Sequence, residues 1–204
     1  MTNTNPWLIS PGHSEQNRPS PAPQKRPDNR GATSPQPGIP APDQAHQLPR
    51  RTTAAQATLW WLGAHGGAGE TTLAALAPDT LAADHGWPIP ATPDTTHRVV
   101  LVGRSNYTGL VAVQRAATEW AANTLDNGVQ LAGIVLIADA PGRQPKALKD
   151  LEQVIAGGVP RAWHLPWVDA WRHRPATATE HLPKEFRSLF TDLSLTPPSA
   201  LRPN

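Results

Sequence analysis

Four short runs of apolar residues, each continuous rather than alternating, constrain this chain more than any other feature. They are Ala57-Thr-Leu-Trp-Trp-Leu62, Val99-Val-Leu-Val102, Leu131-Ala-Gly-Ile-Val-Leu-Ile-Ala138 and the shorter Arg161-Ala-Trp-His-Leu165. A strand with one wet face alternates apolar and polar side chains, whereas a strand covered on both faces has no reason to. The runs therefore predict strands of a parallel sheet. Helical patterns lie between them. Leu110, Val113, Ala117 and Trp120 share one face of a helix from about 109 to 125, and Leu148, Leu151, Val154 and Ile155 do so near 145–156. Gly157, Gly158 and Pro160 supply the second helix with a stop. Phe186, Leu189, Phe190 and Leu193 mark a last helix. Strands alternating with helices predict an α/β fold with a doubly wound, mainly parallel sheet.

The domain boundary follows from composition. Of 204 residues, 24 are proline, and 11 of these fall in the first 56. That stretch has few large apolar groups, too few to offset its ordering entropy. Residues 1–55 are expected to be a disordered Pro/Ser/Arg-rich tail, 56–195 the folded domain and 196–204 a flexible C-terminus. PSPAP and PQPGIPAP in the tail carry polyproline II character, as a docking ligand would. The first 56 residues hold six basic and three acidic groups, the other 148 hold 12 and 13. The domain thus has no basic excess with which to track a phosphate backbone, and no strong nucleic-acid signature. The absence of cysteine excludes disulfides, thiolate zinc sites and cysteine catalysis. The start, MTNTNPWLISPG, lacks the pattern of a signal peptide, and no apolar run nears the roughly 20 residues of a membrane helix. A cytoplasmic protein without membrane contact is expected.

The segment richest in chemistry is Gly63-Ala-His-Gly-Gly-Ala-Gly-Glu-Thr-Thr72. It follows a predicted strand and opens a predicted helix, the setting a phosphate loop requires. Glycines let successive N–H groups curl inward toward an anion, and the helix N-terminus adds partial positive charge. The loop candidates are His65, Gly66, Gly67, Ala68, Gly69, Glu70, Thr71 and Thr72.

This loop resembles the deviant P-loop of the ParA/MinD partitioning ATPases, which reads roughly K-G-G-x-G-K-T-T. The glycines and threonines match; His65 and Glu70 stand where that family has lysines, and Ala64 replaces the first glycine of the general motif. Later segments extend the likeness over about residues 57–173. The Val99 strand leading to Gly109 is similar to the family's strand before a "VVTPE…SL" helix, Leu131-Ala-Gly-Ile-Val-Leu resembles its "GVVLN" strand, and His164-Leu-Pro-Trp-Val-Asp its final "IPYD" segment. The segment 78–98, where the family's metal-linked aspartate and switch would lie, reads as an irregular loop. The chain is also similar to an uncharacterised group of actinobacterial proteins with the same H-G-G-A-G loop. The resemblance implies a P-loop NTPase-like fold and ATP or ADP with Mg²⁺ as the ligand. It further implies a homodimer across the nucleotide face, and protein partners of the kind found in plasmid partitioning, conjugation or secretion.

Glu70 alters that chemistry. In phosphoryl transfer the loop lysine and Mg²⁺ neutralise charge on the β- and γ-phosphates. Reversing one charge about 4 Å from a phosphate turns roughly −4 into +4 kcal/mol at an effective dielectric near 20. ATP affinity is then expected to vanish unless Arg104 or Arg143, each just past a strand end, compensates; a Glu70–arginine pair would mimic an occupied site. His65 reads as a phosphate donor or a backbone-bonded loop residue, and Thr71 as an Mg²⁺-binding hydroxyl or a helix cap. Asp139-Ala-Pro-Gly-Arg143 has three readings: a metal-linked "DxPPG" motif, the loop on the base side, or a structural turn. Asp139, Pro141 and Gly142 are its candidates. Pro166, Trp167 and Asp169 form a second base-side candidate.

Eight tryptophans against two phenylalanines and one tyrosine is an unusual balance. Trp60, Trp61, Trp120 and Trp163 fall in strand or helix patterns and read as core, while Trp167 and Trp171 have two readings, core packing first and stacking on a base or a protein contact second. No aspartate follows Val102 to serve a metal, His164 and His173 are isolated, and no nucleophile elbow, H-E-x-x-H or calcium loop is present. No catalytic residue and no metal site are assigned. Three functions remain open: a non-hydrolysing ParA/MinD-like binding or regulatory module with an unidentified protein partner, a nucleotide-binding switch or ATPase that uses arginines at its phosphate site, and a purely structural interaction protein.

Overall fold

A computed structural model describes residues 31–125, 128–177 and 181–195. Its strands in chain order are β1 (Arg50–Thr53), β2 (Leu59–Gly63), β3 (Thr80–Ala82), β4 (Trp87–Pro90), β5 (His97–Arg104), β6 (Val129–Ile137) and β7 (Ala162–Leu165). The α-helices are α1 (Glu70–Leu76), α2 (Tyr107–Ala121), α3 (Lys146–Gly157) and α4 (Lys184–Asp192). Five strands form one parallel sheet in the order β3-β2-β5-β6-β7. The four apolar runs supply β2, β5, β6 and β7, as their continuous hydrophobicity requires.

Alternation within each strand divides the core in two. Trp60 and Leu62 of β2, with Val99 and Leu101 of β5, pack with Leu110, Val113 and Trp120 of α2. Leu59 and Trp61, with Val100 and Val102, face the other way onto Leu73 of α1 and Phe186, Leu189 and Phe190 of α4. The pairing of β5 with β6 shifts register between Val99 and Val100. Val99 opposes Leu131 and Val100 opposes Gly133, so Ala132 is the extra residue of a bulge. Gly133 adopts φ 152°, and a Cβ there would lie 2.4 Å from the Arg161 carbonyl oxygen, so the bulge needs glycine. Among the described residues no helix is long and apolar enough to cross a membrane.

Two expectations are corrected. The segment 78–98 is more than an irregular loop: β3 pairs with β2, and β4 forms a separate parallel ribbon with β1 in the register Arg50↔Trp87. The segment 31–55 is likewise no free tail. Gly31 N–H donates to the Val159 carbonyl, Ala32 N–H to Gly157 and Gln36 N–H to Ala121, which ties the chain across α2 and α3. Ile39 and Leu48 pack on the core. The anchor is Glu119 of α2, fully buried, whose Oε2 accepts from Leu48 N–H at 3.1 Å and Trp87 Nε1–H at 3.0 Å. Its Oε1 lies 3.3 Å from Arg50 Nη2. Backbone hydrogen bonds and one buried carboxylate order this strap, and neither needs the apolar composition the segment lacks. The expected tail at 1–30 and C-terminus at 196–204 lie outside the described residues.

Candidate functional site

The chain order of the sheet locates the site. From β2 the chain moves to β3 at one edge, then returns to β5 on the other side of β2 and continues through β6 to β7. Successive windings diverge between β2 and β5, and a crevice opens at the carboxyl ends of strands at such a point. The glycine loop follows β2 there, and Arg104-Ser105-Asn106 follows β5.

Two glycines give the loop left-handed backbone. Gly67 takes φ 73° and Gly69 takes φ 106°, the latter immediately before α1. Ala68 is buried beneath it, Gly66 and Gly67 are exposed, Thr71 faces outward and Thr72 is half-buried. The side chains of Glu70 and His65, however, are turned onto neighbouring protein groups. The Glu70 carboxylate, 5% exposed, points down to the end of β2, where Oε2 accepts from Gly63 N–H. Oε1 lies 3.3 Å from His85 Nδ1. His85 adopts φ 55° in the turn after β3, an unusual conformation that histidine tolerates better than most residues, and its Nδ1 also lies 3.1 Å from the Gly63 carbonyl. A Cβ on Gly63 would come within 2.8 Å of His85 Nδ1 and 3.0 Å of Glu70 Cδ, so three residues close tightly on one point.

His65 and Arg104 close the other side. The Nε2 of His65 accepts from Arg104 N–H at 3.0 Å, which assigns the hydrogen to Nδ1, 2.9 Å from the Gly66 carbonyl. Arg104 donates from Nε to the Gly67 carbonyl at 3.1 Å and from Nη1 to the Ala138 carbonyl at 3.2 Å. Its guanidinium thus clamps the loop to the end of β6. The expected Glu70–arginine pair is corrected: among the described residues neither Arg104 nor Arg143 bonds Glu70, whose partner is His85. No sequence motif marks His85, because the pairing depends on the path of the chain after β3.

Gly109 sets how closely α2 approaches this latch. The helix is capped by Asn106 Oδ1, which accepts from Gly109 N–H at 2.8 Å. A Cβ on Gly109 would lie 2.3 Å from the Arg104 carbonyl oxygen and 3.0 Å from His65 Nε2. Gly109→Ala is therefore expected to push α2 off the loop and cost about 1–3 kcal/mol. A melting temperature within a degree of wild type would rule out this packing.

Two cavities flank the closed loop. The smaller, about 180 Å³, lies between Gly69, Thr72 and Arg104 on one side and Pro166, Trp167 and Trp171 on the other. Trp171 stacks edge-on against Phe186 at 5.1 Å, and the Arg172 guanidinium lies 5.9 Å from the Trp167 ring centre. Asp169 is exposed, 3.5 Å from Trp167 Nε1. Trp60, Trp61, Trp120 and Trp163 are buried in the core.

The larger cavity, about 300 Å³, opens at the ends of β5, β6 and β7 beneath residues 139–145. Leu136, Leu148 and Leu165 form its apolar walls, and Asp139, Pro141, Gly142 and Arg143 its rim. A hydrogen-bonded chain holds it in shape. Gln144 donates from Nε2 to the Ser105 carbonyl at 3.0 Å and to Glu152 Oε1 at 2.7 Å. Glu152 Oε2 lies 3.2 Å from His164 Nε2. The Glu152 side chain is 8% exposed and His164 49%. His164, isolated in the sequence, thus has a buried carboxylate partner one helix away, which its local sequence does not signal. Of the sequence candidates, His65 to Thr72 and Arg104 converge on one crevice, Pro166 and Trp167 border it, and Asp139 to Arg143 belong to the second cavity. Among the described residues no group of three or more His, Asp or Glu side chains could hold a metal ion.

Neither a curated protein nor a solved structure matches the chain. Residues 57–190 match a family of unknown function, DUF6668, and the match starts at the strand that leads into the glycine loop. That span is well over half of the chain, and the protein belongs to this family.

Proposed function

We propose that the protein is a degenerate ParA/MinD-like P-loop protein, a non-hydrolysing binding or regulatory module that acts through a protein partner. One observation carries the reading: the side chain where that loop would present a lysine is a carboxylate, folded inward onto Gly63 N–H and His85. A phosphate loop works by offering unsatisfied N–H groups and a cation to the anion. Here the cation nearest the loop is spent on two carbonyl oxygens, and no acidic group stands at the end of β5 to support Mg²⁺. The loop then serves as a rigid strand-to-helix connection at the carboxyl end of β2, an inner strand of the sheet.

A second reading, a nucleotide switch that uses arginine for lysine, draws support from the 180 Å³ cavity that places Arg104 and Arg172 beside Gly69 and Thr72. Thermal unfolding separates the two. A ligand at 100 times its Kd raises stability by about 2.7 kcal/mol. Millimolar Mg·ATP, Mg·ADP or Mg·GTP is expected to leave the melting temperature unchanged, whereas a rise of several degrees would favour the switch.

A further inference from the structure

We propose that the 300 Å³ cavity at the ends of β5, β6 and β7 binds a small zwitterion with an apolar body, of the size and chemistry of a free amino acid. The inference stands apart from the state of the glycine loop, because no residue of that loop lines this cavity.

Three observations lead there. The cavity is pre-built: Gln144 ties the roof to the Ser105 carbonyl and to Glu152, and Glu152 in turn holds His164. Burying a carboxylate on α3 costs free energy that the packing of that helix does not require, and the group is used to fix two side chains at the cavity wall. The volume is at the lower end of the roughly 300–1,000 Å³ typical of ligand pockets, which limits the occupant to a small molecule.

The third observation is the pattern of unused charge. Asp139 and Arg143 stand on the rim, both exposed and neither engaged in an ion pair or side-chain hydrogen bond among the described residues. Asn106 spends its Oδ1 on the α2 cap, which leaves its amide N–H groups as donors at the same wall. Arginine matches a carboxylate with two parallel donors, and Asp139 matches an ammonium. Leu136, Leu148 and Leu165 line the space beneath this rim. A multiply charged phosphate ester would meet the carboxylates of Asp139 and Glu152, and a simple amine would meet Arg143. A free amino acid carries one charge of each sign on a single carbon, which suits both rim groups while its side chain enters the leucine-lined space.

The test is calorimetric titration of the full chain with L-phenylalanine and L-leucine, alongside 3-phenylpropionate, which lacks the ammonium, and phenethylamine, which lacks the carboxylate. Saturable binding of at least one amino acid is expected, with each truncated analogue weaker by about tenfold or more. Arg143→Ala and Asp139→Asn are each expected to weaken it by roughly tenfold, with unchanged melting temperature because both side chains are exposed. No saturable heat from either amino acid up to about 10 mM would overturn the proposal. So would 3-phenylpropionate binding as well as phenylalanine, which would make the site one for plain anions, or phenethylamine doing so, one for cations. Unchanged affinity in both variants would place the ligand elsewhere and overturn it equally.

Discussion

Glu119→Ala is expected to destabilise the protein by about 3–5 kcal/mol and to release the strap at 31–53. The side chain has no exposed surface, and it accepts from Leu48 N–H and Trp87 Nε1–H while facing Arg50. Alanine leaves the buried Trp87 Nε1–H and the half-buried Leu48 N–H without an acceptor, the former worth about 1–3 kcal/mol, and opens a cavity between α2 and the β1–β4 ribbon. At about 2–4 °C per kcal/mol for a chain of this size, the melting temperature falls by roughly 10 °C. Because, among the described residues, β1 pairs only with β4, and Trp87 opens β4, loss of the anchor frees the backbone at the exposed Arg50 and Arg51 for cleavage by trypsin. A variant with the melting temperature and trypsin resistance of wild type would show that the strap is held by other contacts.

The second large effect concerns Glu70. A loop silenced by one wrong charge regains function when a lysine is restored; a loop closed by a structural carboxylate does not. Glu70→Lys would take the acceptor from Gly63 N–H and place an ammonium, in place of a carboxylate, at a side-chain position that is 5% exposed. A buried, unpaired charge of this kind costs about 3–5 kcal/mol. The expected result is a melting temperature lower by roughly 10 °C and no gain of Mg·ATP binding. Glu70→Gln keeps an acceptor for Gly63 N–H and is expected to be much milder. If Glu70→Lys were as stable as wild type and bound ATP, the carboxylate would have no structural role.

How legible this was in the sequence depended on how local each signal is. The runs at 57–62, 99–102, 131–138 and 161–165 became β2, β5, β6 and β7 because burial on both faces writes itself into consecutive residues. The helical stripes became α2, α3 and α4 because one buried face recurs at helical spacing, although Val154, expected on the apolar face of α3, is 67% exposed. β3 is three residues long, and β4 carries Pro88 and Pro90 and pairs with the polar strand Arg50–Thr53, so neither strand has a periodic signature. The strap was hidden because its anchor, Glu119, lies about 70 residues away and reads locally as a polar residue of an amphipathic helix. At the site, the motif located every residue of the loop but not the direction of a side chain. Whether Glu70 faces a ligand or the end of β2 is decided by His85, and whether Arg104 is free is decided by the carbonyls of Gly67 and Ala138. Both are contacts between separate turns of the fold.

The central claim, that the glycine loop is occupied by its own side chains, is tested most directly by calorimetric titration of the full chain with Mg·ATP, Mg·ADP and Mg·GTP, with Glu70→Gln in parallel. The account predicts no saturable heat from either protein up to about 1 mM, a limit of roughly −4 kcal/mol. Micromolar binding by the wild-type chain, abolished by substitution of Arg104, would contradict it.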